Sequence, residues 1–505
     1  MTLYEHARHV RYHADASALF DALGGREAES SVLLESADIE SKDGLQSVAV
    51  LAASVRLTCN QFTVSAEPLN ERGREIVSRL NVPLTYTRAR AFEESARLKE
   101  PSTMDVLRAI LAAATPQQLA GSAGEGHASR LPYLAGGIAF DYLATFEELP
   151  PVPESLNRFP DYQFLLADVL LVEDHTSRTA ILYGYDADLV ESYAARIEAY
   201  TGADAEAPEI GAAAPTTVRA TAVPDDETFR EDVDKLKKNI YNGDIYQVVP
   251  GRGFEIPCPD AFAAYRCLRD ANPSPYMFYI RGLDAEGKPY ELFGASPESN
   301  LKYGAEHRFL QLCPIAGTRP RGATEELDIR AELELRTDSK ELAEHTMLVD
   351  LARNDVARVA APTTRKVVDL MHIDRYSRVM HLVSRVTATL ADGYDAFDAY
   401  RACMNMGTLT GAPKIRATEL LRSVENARRG SYGGSVGYFD GQGNMDNCIV
   451  IRSAFVQQGS ALVQAGAGVV RDSDPQSEAN ETYHKALATL SAIAEAQGST
   501  LEVVR

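Results

Sequence analysis

Apolar positions change their period along the chain, and the changes outline an alternating series of strands and helices. β-branched and apolar residues crowd 31–34 and 47–57, as strands require. Phe229, Val233, Leu236 and Ile240 recur at steps of four, three and four, behind Asp225 and Asp226 and ahead of Gly243, which predicts a capped amphipathic helix. A strand is expected at 245–249. From 432 to 470, β-rich runs alternate with Gly441-Gln442-Gly443-Asn444 and Gly459-Ser460, a spacing of antiparallel hairpins rather than crossover units. Ser473-Asp474-Pro475 opens a last helix with a cap and a first-turn proline. On that helix Ala479, Tyr483, Ala486, Leu490 and Ile493 form a packing stripe. Glu478, Glu481 and Lys485 form a second stripe, centred about a third of a turn away. The class expected is α+β.

The stretch 201–224 is rich in Ala, Pro, Gly and Thr and has no sustained apolar period. It reads as a linker or long surface crossing between an N-terminal region, 1–200, and a C-terminal region, 225–505. With 505 residues, burial is not limiting.

Charge narrows the partners. Lys and Arg number 51 against 72 Asp and Glu, a formal net charge of −21, which repels nucleic acid and anionic membrane over most of the surface. Any anionic substrate must therefore meet a local basic pocket. Six scattered cysteines form no C-x-x-C pair, which speaks against a zinc site or a disulfide framework and for a reducing cytoplasm. Residues 1–15 have no apolar signal core, and no apolar run approaches the ~18 residues of a membrane span. Tryptophan is absent.

Two Glu-x-x-Glu pairs, Glu341/Glu344 and Glu478/Glu481, stand on predicted helices beside His345 and Lys485. Residues three and four apart share a helical face, so each pair aims two carboxylates in one direction. Two such charges ~5 Å apart repel by about 3 kcal/mol at an effective dielectric of ~20. That crowding asks for a cation, and oxygen-only donors select Mg²⁺ or a similar hard ion. A di-iron site is disfavoured, because Glu481-x-x-His484 is the only suitable Glu-x-x-His and such bundles need two.

Two glycine-rich loops are not nucleotide sites. Gly466-Ala467-Gly468 lacks the third glycine and the prompt helix of a dinucleotide loop, although its amides suit an anion. In Gly407-Thr408-Leu409-Thr410-Gly411-Ala412-Pro413-Lys414, proline precedes the lysine and Ile415 replaces the Mg²⁺-binding hydroxyl. This loop is read as the entry to a helix at 412–426. His381 lies in a β-rich segment where a core histidine is the ordinary reading. Arg452 follows Ile449-Val450-Ile451, which predicts a semi-buried guanidinium seeking a carboxylate.

Together with Leu33-Leu34-Glu35-Ser36, Asn272-Pro273-Ser274-Pro275-Tyr276-Met277, Gly294-Ala295-Ser296-Pro297-Glu298-Ser299 and Pro314-Ile315-Ala316-Gly317-Thr318-Arg319-Pro320, these segments resemble the chorismate-utilising enzymes, and among them the large subunits of anthranilate synthases. The resemblance spans essentially the whole chain. It implies large antiparallel sheets flanked by helices, with an N-terminal regulatory region and a chorismate-binding catalytic region. It implies Mg²⁺ on Glu344 and Glu481 directly, with Glu341 and Glu478 supporting through water. Arg452, Tyr432 and the Gly466-Ala467-Gly468 amides would take the enolpyruvyl carboxylate, while Gly317, Thr318, Thr408 and Lys485 complete the pocket. Glu298 matches the acid that protonates the departing C4 hydroxyl, and His381 matches the histidine of pyruvate elimination.

Two positions separate the relatives. Enzymes that add water carry a lysine base where this chain has Gln247; an amide cannot deprotonate water, and ammonia needs no base. Many aminodeoxychorismate synthases carry a nucleophilic lysine where this chain has Ala316. The resemblance therefore implies amination at C2 and pyruvate loss to give anthranilate, the first step of tryptophan biosynthesis. The chain has no Gly-x-Cys-x-Gly nucleophile, so a separate glutamine amidotransferase subunit is implied, and with it a hetero-oligomer. Glu35, Ser36, Pro275, Tyr276 and Met277 match a tryptophan-binding inhibitory site, with Phe278 and Cys448 as further wall residues. An aminodeoxychorismate synthase large subunit and a non-catalytic amino-acid-binding regulator are the rival expectations.

Overall fold

The structure, a computed structural model, describes residues 2–36, 45–91, 93–117, 129–202, 216–375 and 379–505. The centre of the expected linker, 203–215, lies outside the described residues.

Two long strands organise the chain. Gln46–Asn60 and Tyr162–Asp174 pair antiparallel, but the register slips between Val50 and Val55, and the two halves of the ribbon take different neighbours. One half adds Ser31–Glu35 and Thr179–Gly184 at its edges; the other adds Thr63–Pro68 and Tyr133–Ile138. An irregular register bends a strand. A single ribbon therefore feeds two sheets.

The first sheet continues from Ser31–Glu35 through Tyr276–Leu283, Pro289–Ser296, Ser453–Gln457, Ser460–Gly466, Gly251–Pro257 and Thr217–Val223 to Thr500–Val504. The second continues from Tyr133–Ile138 through Ser435–Asp440, Met445–Ile449, Ser299–Gly304 and Phe309–Leu312 to Val379–Thr389, which also pairs with Ile315–Pro320 and Lys366–Arg375. Among the described pairings of these sheets only Thr217–Val223 with Thr500–Val504 is parallel. Strands from both sides of residues 203–215 are hydrogen-bonded into the same sheets, so the division read from composition is not a division between sheets.

The chain passes from sheet to sheet at two adjacent places. Between Pro289–Ser296 and Ser299–Gly304 it crosses through Pro297 and Glu298; between Met445–Ile449 and Ser453–Gln457 it crosses back through Val450, Ile451 and Arg452. The crossings are tied together: the Ile449 N–H donates to the Glu298 carbonyl at 3.1 Å, and the Ala295 N–H to the Arg452 carbonyl at 3.1 Å. Glu298 and Arg452 are thus held side by side by backbone.

Helices cover the sheets as the patterns require. Asp225 caps Asp226–Tyr241, and Phe229, Val233 and Leu236 of that helix pack against Val248, Leu421, Val469 and Ala479. Asp474 caps Pro475–Glu495, with Pro475 in the first turn, and Ala486, Leu490 and Ile493 pack with Tyr265 and Leu268 of Ala261–Ala271. The hairpins read at 432–470 are Ser435–Asp440 with Met445–Ile449 and Ser453–Gln457 with Ser460–Gly466. The strand expected at 245–249 is only Gln247–Val248, because its partner Gly411–Ala412 is two residues long. The helix expected from 412 starts at Lys414, after Pro413. No disulfide joins the described cysteines, and among the described residues no helix is long and apolar enough to cross a membrane.

Candidate active site

The buried carboxyl of Glu298 is the centre of the site. It has no ion-pair partner among the described residues; it accepts a hydrogen bond from Thr408 Oγ at 2.8 Å and one from the Ile315 amide. Burial outweighs these bonds and the more distant Lys485 and Arg452, and pushes its pKa up to about 8. At neutral pH this acid keeps its proton.

Arg452 follows at the second crossing. Its backbone is left-handed, φ 51°, a conformation that non-glycine residues adopt at a cost of order 1–3 kcal/mol and that clusters at functional sites. Its guanidinium makes no hydrogen bond or ion pair among the described residues, and Tyr432, Glu481 and Glu298 are its electrostatic neighbours. A half-buried cation held this way is ready for a carboxylate. Tyr432 is buried beside Gly466, where an added Cβ would stand 2.9 Å from the phenol oxygen.

The strands Ile315–Pro320 and Val379–Thr389 set Thr318 opposite His381. His381 Nδ1 lies 2.9 Å from Thr318 Oγ and 3.3 Å from the Gly317 carbonyl. Burial, with help from Arg452, brings its pKa down to about 4, so the ring is neutral. A carbonyl oxygen only accepts, so a bond to Gly317 puts the proton on Nδ1 and makes Nε2 the basic nitrogen. Gly317 needs its left-handed φ of 75°, and an added Cβ there would stand 3.1 Å from Glu341 Oε2.

The two helices with the paired glutamates converge. Ser339–Ala357 carries Glu341 and Glu344; Pro475–Glu495 carries Glu478 and Glu481. Burial first, and then the charges of Glu341 and Glu481, raise the Glu344 pKa. Burial and Glu481 likewise raise that of Glu478. Burial also works to raise Glu481, but Lys485 and Lys340 hold it below the ordinary value. Three of the four carboxylates have separate restraints: Glu341 takes Arg319 at 3.0 Å, Glu344 takes Gln247 Nε2 at 3.2 Å, and Glu481 takes Lys485 at 2.6 Å. Among the described residues no three acidic, His or Cys side chains stand close enough to enclose an ion unaided. The donors nevertheless suit a hard divalent ion: they are carboxylate oxygens, and the buried Gln247 Oε1 beside them has no partner among the described residues. Gly468 gives Gln247 and Glu344 room, since a Cβ there would lie 2.9 and 3.4 Å from their polar atoms.

Two sequence expectations are corrected. His345 is no counter-charge to its neighbouring glutamates: it is fully buried, bonds Ser384 Oγ through Nε2 at 2.6 Å, and burial lowers its pKa to about 4. Of the Gly466-Ala467-Gly468 loop, the Ala467 N–H is already donated to the Pro250 carbonyl at 3.1 Å, so it is not a free anion donor. Lys485 bonds Glu481 and donates to the Gly466 carbonyl at 2.9 Å. Arg319 on Glu341 was not anticipated, because nothing local marks a pairing across 22 residues. The buried Glu425–Arg429 clamp, which also grips the Gly251 amide and the Leu409 and Val249 carbonyls, was legible from its i,i+4 spacing.

The residues matched to an inhibitory site also meet. Glu35, Ser36, Tyr276, Met277, Phe278 and Cys448 line one cavity of about 180 Å³, with Val48 and Tyr438 among its other walls. Pro275 immediately precedes the lining strand Tyr276–Leu283. Glu35 is buried; it accepts from Tyr265 and pairs with Arg269 at 3.2 Å, yet burial still raises its pKa. Tyr276 pairs with Ser296, two residues before Glu298, so one strand pair joins this cavity to the acid.

The profile of the chorismate binding enzyme family matches residues 76–491, and the chain belongs to that family. Within it the chain groups with the anthranilate synthase component 1 proteins. That of Vibrio parahaemolyticus is 46% identical over 512 residues, covering 96% of this chain and 92% of that protein. That of Escherichia coli K12 is 44% identical, covering 96% of each. Among solved structures, anthranilate synthase component I from Streptococcus pneumoniae TIGR4 superimposes with a TM-score of 0.70 at 27% identity, over 89% of this chain and 93% of that one.

Proposed function

We propose that the chain is the large subunit of a cytoplasmic, hetero-oligomeric anthranilate synthase that aminates chorismate at C2 and eliminates pyruvate. The observation that carries this reading is the pairing of an uncharged buried acid, Glu298, with the unpartnered cation Arg452 at the two sheet crossings. Chorismate is a dianion whose C4 hydroxyl leaves only when protonated, and the pair answers both needs.

Arg452, beside Tyr432, holds the enolpyruvyl carboxylate. Glu344 and Glu481, supported by Glu341 and Glu478, would hold Mg²⁺, which when bound would supply the positive charge that anchors the ring carboxylate. Glu298 gives its proton to the C4 oxygen as ammonia forms the new bond at C2, and water departs. Nε2 of His381 takes the C2 proton as the C3–O bond breaks, and the released enolpyruvate becomes pyruvate on protonation. Ala316 offers no nucleophile, and Gln247 offers no base for water, which supports amination over the lysine-dependent chemistries. The component 1 name of the relatives supports a second subunit, in our reading a glutamine amidotransferase that supplies the ammonia. The cavity at Glu35 and Tyr276 is assigned to tryptophan as feedback inhibitor, with the N-terminal region as the regulatory part.

Purified chain with chorismate, Mg²⁺ and ammonium salt should form anthranilate and pyruvate one to one, and tryptophan should suppress both. Aminodeoxychorismate without pyruvate would support the rival synthase. Tryptophan binding without turnover under any condition would leave only a regulatory protein.

A further inference from the structure

We infer that Thr408 is a positioning residue for the acid Glu298: its hydroxyl fixes which carboxyl oxygen carries the proton, and it does not bind substrate. The inference rests on the proposed role of Glu298. Thr408 sits in the turn Gly407–Leu409, and Gly407 packs against Leu351 with no room for a side chain, so the turn is held in place. Its Oγ lies 2.8 Å from Glu298 Oε1. When Glu298 is protonated, a donated Thr408 hydroxyl makes Oε1 the carbonyl oxygen and confines the acidic proton to Oε2. An acid whose proton can sit on either oxygen delivers it less often along the one productive direction.

The same bond bears on pH. A hydroxyl donating to a carboxyl favours the charged form, so Thr408 works against the burial that raises the Glu298 pKa. The other groups facing Glu298 are the Ile315 amide, Lys485 and Arg452, which also favour the charged form, and the Cys313 thiol, itself pushed up by burial. Removing the hydroxyl alone therefore moves the Glu298 pKa further up.

Thr408→Val keeps the shape and removes the donor; Thr408→Ser keeps the donor. For Thr408→Val, kcat should fall about tenfold with the chorismate KM within twofold, and the alkaline limb of the kcat profile should move up by about half a pH unit. Thr408→Ser should restore both. An infrared titration of the buried C=O band that disappears in Glu298→Gln should show the same upward shift in Thr408→Val without turnover. A raised chorismate KM with kcat unchanged would overturn the inference in favour of substrate binding, and an unmoved pKa would overturn it outright. Failure of wild-type chain to make anthranilate, with the infrared shift present, would instead count against the proposed function.

Discussion

The catalytic centre and the second cavity lie at the same end of one strand pair, where Tyr276 faces Ser296, and they partner buried carboxylates differently. Glu35 is held in the second cavity by Arg269 and the Tyr265 hydroxyl, which are full-time partners. Glu298 has only a threonine hydroxyl and a backbone amide, and its pKa rises to about 8. Burial raises both, and Glu298, which has no ion-pair partner among the described residues, is the one placed to give up a proton. The glutamate pairs extend the contrast, since Glu344 and Glu478 are raised partly by the charges of their own neighbours.

The comparison can be broken most sharply at Glu298. Glu298→Gln should lower kcat by about 10³, the middle of the range for loss of a general acid. The same change should stabilise the fold at alkaline pH. Because the folded pKa lies above the unfolded one, the stability tied to Glu298 is complete below pH 4.5 and is lost as pH rises toward about 8. Calorimetry should therefore find Tm of the variant raised by about 2–4 °C at pH 9 and unchanged near pH 4. An equal gain at both would mean that the carboxyl is not strained.

A smaller loss is expected at the glutamate pairs. Glu344→Gln and Glu481→Gln should each raise the Mg²⁺ concentration for half-maximal rate by about 10- to 100-fold, whereas Glu341→Gln should raise it by only about threefold. Equal effects at all three would remove the distinction between direct and supporting carboxylates. The least effect on turnover belongs to the second cavity. Val48→Phe places a ring into the 180 Å³ space and should weaken tryptophan inhibition by about tenfold with kcat within twofold. Unchanged inhibition would move the inhibitor elsewhere.

Local features were legible in the sequence. Asp225 and Asp474 cap the helices that start directly after them, and the Glu-x-x-Glu pairs project together because one helical turn fixes their direction. Features set by long-range pairing were not. No periodicity foretells that one ribbon feeds two sheets, or that Pro297-Glu298 and the segment ending at Arg452 cross side by side. The meaning of a titratable residue also depends on its burial: His345, basic in composition, is a neutral core residue bonded to Ser384. The Thr408 hydroxyl reaches the acid Glu298 from 110 residues away, a pairing that no local spacing marks.

The account depends most on a cation shared by two helices. Manganese in place of magnesium, located by its anomalous diffraction in crystals grown with a chorismate analogue, tests this directly. A peak within about 2.5 Å of Glu344 and Glu481 carboxylate oxygens, with the ring carboxylate on the same ion, is the expected result. A peak elsewhere, with Lys485 still closed on Glu481 and the analogue bound, would contradict it.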